Sequence, residues 1–370
     1  MDDSDRLRMP AEERYATELA ALEAADAGRA RPRGWKLTPR SVVTFVVGGE
    51  AGGVTIGAKY VGDRTLVEAA VATLASDRAL LLAGPPGTAK SMLSEWLAAA
   101  VSGSSRLIVQ GSSGISEDHV KYTWNYALLI KEGPCDRALR PSPVLEAMQA
   151  GTIARIEELT RMAPEVQDAL ISLLSEKEVS IPELGNRVVM ARKGFNVIAT
   201  ANTLDRGVHE MSSALKRRFN YVNVGAVDDV DTQVAIVTRR TRELMADHGI
   251  AVELPPDLVK VLVDVFTELR TGKTQNGELT LRKSASDLSC AQAISTLFSS
   301  CLTAAYLEEG RVTAPALARW VHGAVTRDDQ SGPGALRDYV VTVGRTRHDG
   351  AWPALLHQLR ALIGQVEAEA

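Results

Sequence analysis

The residues with the most chemistry in this sequence lie between Ala79 and Ser91, which reads ALLLAGPPGTAKS. An apolar run leads into a Gly/Pro loop and then into the start of a helix. Gly84 and Gly87 allow the chain to wrap so that backbone N–H groups point inward, and the following helix offers its positive end. Lys90 can reach β and γ phosphates, and Ser91 supplies a hydroxyl for a magnesium ion. This is a cradle for a nucleoside triphosphate. The general pattern GxxxxGK[ST] has Gly where this chain has Ala89, a replacement that a negative φ would accommodate.

Such a cradle needs acids at a strand end, one for the metal and one for an attacking water. About 65 residues downstream, Thr152 to Leu159 reads TIARIEEL, an apolar strand ending in Glu157 and Glu158. The first acid is expected to support the metal and the second to polarise water.

Elements must hold these groups in place, and 370 residues suffice for two or three domains. Strand patterns fall at 79–83, 106–110, 152–156, 195–200 and 221–224, with a helical pattern at 65–74 before the first and another at 90–101 between the first two. The alternation predicts an α/β fold, a parallel P-loop NTPase sheet with helices on both faces. Beyond residue 225 only helical periodicity remains, at 228–246, 256–270, 284–308, 314–326 and 351–368, so an all-α lid domain follows. Ahead of the sheet, an Ala/Glu-rich amphipathic helix at 11–26, a basic joint GRARPRGWKLTPR and a second helix near Ser41 read as an extension. The expected division is 1–58 extension, 59–225 core, 226–330 lid and 331–370 C-terminal helical extension, with SGPG at 331–334 as the joint.

On YVGD at 60–63, GPPGTAKS, EELTRMAPEVQDALISLLSEKEVSI at 157–181, IATANTLDR at 198–206 and SALKRRF at 213–219, the chain resembles an AAA+ ATPase of the MoxR branch, near the dynein-related and McrB-like group. The resemblance spans roughly 60–326, and that family usually carries Asp-Glu where this chain has Glu157-Glu158. It implies ATP and Mg2+ as cofactors, held by Tyr60, Val61, Gly84, Pro85, Pro86, Gly87, Thr88, Ala89, Lys90, Ser91 and Met92, with Ser91 and Glu157 on the metal. Glu158 would be the catalytic acid and Asn202 the sensor of the lytic water. Arg217 or Arg218, the latter favoured because it directly precedes Phe219, would be the finger reaching a neighbouring subunit. Arg282, with Lys283 as fallback, would open the long lid helix as second sensor. A hairpin at 179–189 and an insertion at 111–143 would face substrate. The same resemblance implies a homo-hexameric ring that remodels a protein client, one class of which bears a von Willebrand A domain. Two other readings stay open: a McrB-like, nucleic-acid-directed motor using GTP, and a nucleotide-gated scaffold with little turnover.

Composition narrows the field. Hydrophobic residues at 45% and charged residues at 24% exclude wholesale disorder. A formal charge of -4 gives no field for dedicated nucleic-acid binding. Cys135, Cys290 and Cys301 form no CxxC pair, and the six histidines form no metal-ligand pattern, so neither a disulfide framework nor structural zinc is expected. The polar opening MDDSDRLRMPAEER is unlike a signal peptide, which points to the cytoplasm. Leu288 to Leu307 is uncharged and long enough to cross a bilayer, but its Ser, Thr and Gln content suits a buried helix, so no membrane insertion is expected.

Overall fold

The structure is a computed structural model that describes residues 6–202, 209–284, 286–327 and 331–369. Thr203 to Arg206, the end of the IATANTLDR motif, lie outside the described residues. The chain divides into two units, Met1–Pro85 with Ala89–Gly225, and Ala226–Ala370 with Pro86–Thr88.

In the first unit, β1 (Ala79–Gly84), β2 (Ile108–Gln110), β3 (Ile153–Glu157), β4 (Asn196–Asn202) and β5 (Phe219–Asn223) form one parallel sheet. Their spatial order is β5-β1-β4-β3-β2. This order sets the carboxyl ends of β1, β4 and β3 side by side, so segments distant in sequence meet along one edge. Period-two alternation divides β1, β3, β4 and β5 between two cores. Leu80, Leu82, Ile153 and Ile198 pack on one face with Leu93 and Leu97 of the helix Lys90–Ser102. Leu81, Ala154, Ile156 and Ala199 pack on the other with Val166, Leu170 and Leu173 of the helix Pro164–Glu176.

Residues before Tyr60 share the first of these cores: Leu22, Trp35, Leu37, Val42 and Phe45 are buried in it. Lys59 is buried there too, its ammonium 4.1 Å from the Phe45 ring centroid and 2.6 Å from Glu18. The helix expected over 11–26 is two pieces, Ala11–Arg14 and Ala16–Ala25, separated at Tyr15. The expected hairpin pairs Glu178–Ile181 with Arg187–Met190, and the insertion contains a second hairpin, Tyr122–Trp124 with Leu139–Pro141, enclosing the helix Tyr126–Glu132.

The second unit is helical: Val230–Asp247, Pro256–Thr271, Cys290–Leu307, Ala314–Thr326, Ser331–Val343 and Trp352–Glu369. Leu262, Phe266, Leu297, Val321, Leu336, Tyr339 and Leu355 belong to its common core. The long apolar helix Cys290–Leu307 buries Ala293, Leu297, Cys301 and Ala304 in that core. Two expectations are corrected. SGPG at 331–334 lies in the helix Ser331–Val343 instead of forming a joint, burying Gly332 and Ala335. The pattern over 284–308 is helical only from Cys290, because Ser289 accepts the Gln292 N–H and caps the helix there.

Candidate functional site

The Ala79–Ser91 segment folds as strand, loop and helix, with the helix beginning at Lys90 and no side chain capping its first turn. Gly87 has a φ of 72°, a left-handed conformation suited to glycine. Ala89 also lies in that region at φ 64°, so the negative φ that would accommodate alanine there is not met. The alanine carries the strain that glycine would avoid, about 1 kcal/mol. Lys90 is buried, and its ammonium donates to the carbonyls of Gly84 at 3.0 Å and Pro85 at 2.5 Å. It thus curls over the loop, where a phosphate can take over the role of those carbonyls. Pro85, Pro86 and Thr88 are half-buried along the loop, and Met92 packs against the core behind it.

Tyr60 and Val61 are half-buried, with the Tyr60 N–H bonded to the Val46 carbonyl at 3.0 Å. Burial followed by the nearby Asp63 raises the Tyr60 pKa. Asp63 accepts from the Thr65 N–H at 2.8 Å and so starts the helix Arg64–Leu74.

The acid at the end of β3 is tied directly to the loop. Ser91 Oγ donates to Glu157 Oε2 at 2.6 Å, and Thr200 Oγ1 of β4 donates to the same oxygen at 2.7 Å. The other oxygen, Oε1, accepts from Ser94 Oγ at 2.5 Å and from Arg155 at 2.8 Å. Burial pushes the Glu157 pKa up, but the Arg155 charge and the Ser91, Ser94 and Thr200 hydroxyls outweigh it, so the net shift is downward. The carboxylate is therefore held ionised beside a serine hydroxyl, both hard oxygen donors of the kind magnesium takes.

Glu158 follows with a φ of 53°, another left-handed non-glycine residue. Its N–H donates to Thr200 Oγ1 at 3.0 Å, and its carboxylate lies 3.1 Å from Arg161. Its side chain is more open to solvent than that of Glu157, with 35% exposure against 4%. One acid thus faces inward to the loop helix while the next can meet water. Gly111 passes so close that an added Cβ would stand 2.3 Å from the Glu158 carbonyl oxygen.

Asn202 ends β4 in register with Gly84, where the loop leaves β1, so the two share one edge of the sheet. Arg217 and Arg218 stand at the opposite edge, since the next residue, Phe219, is in register with Ala79 at the amino end of β1. At roughly 3.3 Å per residue, five residues of strand separate them from their own P-loop by about 17 Å. Arg218 donates to Ser175 Oγ at 2.8 Å and to the Ala214 carbonyl at 3.0 Å. Arg217 is exposed, and its guanidinium makes no hydrogen bond or ion pair among the described residues. Arg282 does not open the long lid helix as expected. It is exposed in the segment before it, eight residues ahead of Cys290, because Ser289 provides the cap. Lys283 is exposed in the same segment.

Arg155, Ser94 and Thr200 were not picked out from the sequence. The signal for Arg155 was present: in a strand, Arg155 and Glu157 are two residues apart and share a face, so an arginine inside an apolar strand had an acid beside it. Ser94 and Thr200 gave none, because small hydroxyl residues are common in helices and strands.

Residues 79–219 match the AAA domain of the dynein-related subfamily, and residues 231–364 match the YehL-like AAA+ ATPase C-terminal domain. The protein YehL of Escherichia coli (strain K12) is 40% identical over 355 residues, covering 94% of this chain and 95% of that protein. A Staphylococcus epidermidis (strain ATCC 12228 / FDA PCI 1200) protein is 27% identical over 228 residues, covering 60% of this chain and 80% of its own. Among solved structures, NtrX from Brucella abortus in complex with ADP aligns with 14% identity and a TM-score of 0.49, covering 83% of this chain and 66% of that chain.

Proposed function

Since the chain belongs to the family of AAA+ ATPases with a dynein-related AAA domain and a YehL-like C-terminal domain, we propose that it binds ATP with magnesium at the Ala79–Ser91 loop and hydrolyses it. The observation that carries this reading is the 2.6 Å bond between Ser91 and Glu157, 66 residues apart in sequence. It joins the loop hydroxyl to the strand-end acid, the pair that a magnesium nucleotide requires. Ser91 and Glu157 would hold the ion, which when bound neutralises charge on the phosphates. Lys90 would exchange its carbonyl partners for β and γ phosphate oxygens. Glu158 would orient and polarise the attacking water, assisted by Asn202 at the end of the neighbouring strand.

The finger is supplied in trans within a homo-hexameric ring, because Arg217 and Arg218 stand at the wrong edge of the sheet for their own cradle. Arg217 is the freer of the two, which reverses the preference given by sequence. Arg282 would serve as second sensor from the segment before the lid helix. The machine is cytoplasmic and of the MoxR type, and remodels a protein client, with a von Willebrand A domain protein as the partner class to test first. A second reading, a nucleotide switch with little turnover, is favoured by one observation: the metal-side acid is already paired with Arg155.

Phosphate release from ATP and GTP, with and without DNA, tests these readings together. Glu158→Gln should bind ATP and lose turnover, and Arg217→Ala mixed with Glu158→Gln should regain part of it. Full turnover in Glu158→Gln would refute the assigned chemistry. Binding without turnover in the unaltered protein would favour the switch.

A further inference from the structure

Arg155 is the one buried arginine of the sheet among the described residues, and most of its bonds are spent around the metal-side acid. Its Nε donates to Ser94 Oγ at 2.9 Å, and one terminal nitrogen donates to the Ser105 carbonyl at 3.1 Å. The other terminal nitrogen donates to the Ser91 carbonyl at 2.9 Å and to Glu157 Oε1 at 2.8 Å. Arg155 and Glu157 side chains are 7% and 4% exposed, so their charges act on each other with little screening by water. The guanidinium therefore does two things: it fastens the start of the loop helix to β3, and it places a positive charge against the acid expected to attract magnesium. A bond to backbone carbonyls alone would have done the first without the second.

Resting on the nucleotide reading above, we propose that Arg155 is a positioning residue that sets the magnesium demand of the site. It holds Glu157 by Oε1, leaves Oε2 with Ser91 and Thr200 as the oxygen on the metal side, and offsets the charge with which Glu157 draws the cation. The extra methylene of Glu157 relative to aspartate gives the carboxylate the reach to contact Ser91, Ser94, Thr200 and Arg155 together. The pair Arg155 and Glu157 is a unit: a strand-end acid with its own counter-cation, in place of an acid free to give its whole charge to magnesium.

The test uses the full chain and ADP, with affinity measured in EDTA and across a magnesium titration. Arg155→Met should lower the magnesium concentration for half-maximal tightening by roughly tenfold, read against that variant's own affinity in EDTA. Arg155→Lys, which keeps the charge but not the fork, should keep the midpoint near that of the unaltered protein despite a lower melting temperature. In a Glu157→Gln background, Arg155→Met should no longer move the midpoint. If Arg155→Met does not fold, Arg155→Gln makes the same change of charge. A midpoint that is unchanged or raised in the neutral variant overturns the proposal and leaves Arg155 as a fastener. Absence of ADP binding in the unaltered protein, with or without magnesium, overturns the nucleotide reading and this proposal with it.

Discussion

Arg155 in the first unit and Arg347 in the second both hold carboxylates inside the protein, and the two networks differ in how fully their groups are satisfied. Both oxygens of Glu157 accept two hydrogen bonds. Arg347 is divided between Glu268, which it contacts closely, and Asp264 at 3.7 Å, while its guanidinium lies 4.2 Å from the Trp352 ring centroid. Asp264 Oδ1 has no hydrogen-bond partner among the described residues. The pKa directions follow: Glu157 is lowered, whereas burial raises Asp264 despite Lys260 and Arg347. Glu268 also accepts from Tyr339 Oη at 2.6 Å and the Gln275 N–H at 2.9 Å, so this second network ties the helix Pro256–Thr271 to the segments after it. Backbone strain divides in the same direction. The left-handed non-glycine residues among those described, Ala89, Glu158, Lys177 and Asn186, all belong to the first unit, and two of them are at the site. The first network keeps an acid charged where chemistry is proposed; the second fastens helices and tolerates an imperfect partner.

If that contrast is right, the largest loss of stability comes from the fastener. Glu268→Ala leaves Arg347 and the Tyr339 hydroxyl without their acceptor and should cost about 3 to 5 kcal/mol, read by denaturant unfolding. A cost under about 1 kcal/mol would mean the second network holds nothing together.

Thr200→Val comes next. It keeps the shape of β4 but removes the hydroxyl shared by Glu157 and the Glu158 N–H, so it should cost about 1 to 3 kcal/mol and slow phosphate release while ADP still binds. Unchanged turnover would show that the two acids do not need this bridge.

Ala89→Gly relieves the strain in the cradle and should raise stability by about 0.5 to 1 kcal/mol, the relief of left-handed strain exceeding the added freedom of the unfolded chain. A loss of stability would place Ala89 in a negative-φ conformation after all.

The smallest effect separates the two acids by pH. A lowered carboxylate contributes stability that is present above its unfolded pKa of about 4 and is lost as pH falls through its folded value. A raised one does the reverse: what it contributes is present below about pH 4 and is lost as pH rises through its folded value. Asp264→Asn should therefore gain on the unaltered protein as pH rises from about 4 toward 7. The deficit of Glu157→Gln should instead shrink as pH falls below about 4. Parallel pH profiles for the two variants would erase the distinction between the networks.

Much of the first unit could be read along the chain because its signals are local. The five strands, the P-loop, the hairpin around residues 178–190 and five helices of the second unit each rest on short-range periodicity or turn residues, whereas the helix Ser331–Val343 was missed. Boundaries failed where a cap or a packing partner decided them. Ser289 moved the start of the long helix past Arg282, and the core of the second unit drew SGPG into a helix.

By itself the sequence determined which chemistry was available: a glycine loop with Lys90 and Ser91, a strand ending in two acids, and an asparagine at the end of another. Those follow from residue type and nearest-neighbour spacing. Only the tertiary structure decided which groups meet. The order β5-β1-β4-β3-β2 brings Thr200 and Ser91 onto one carboxylate oxygen and puts Arg217 and Arg218 at the far edge. Parallel pairing between strands distant in sequence is not written in any local pattern. The four bonds on Glu157 follow from that assembly, because a buried polar group takes its partners from whatever the fold places beside it.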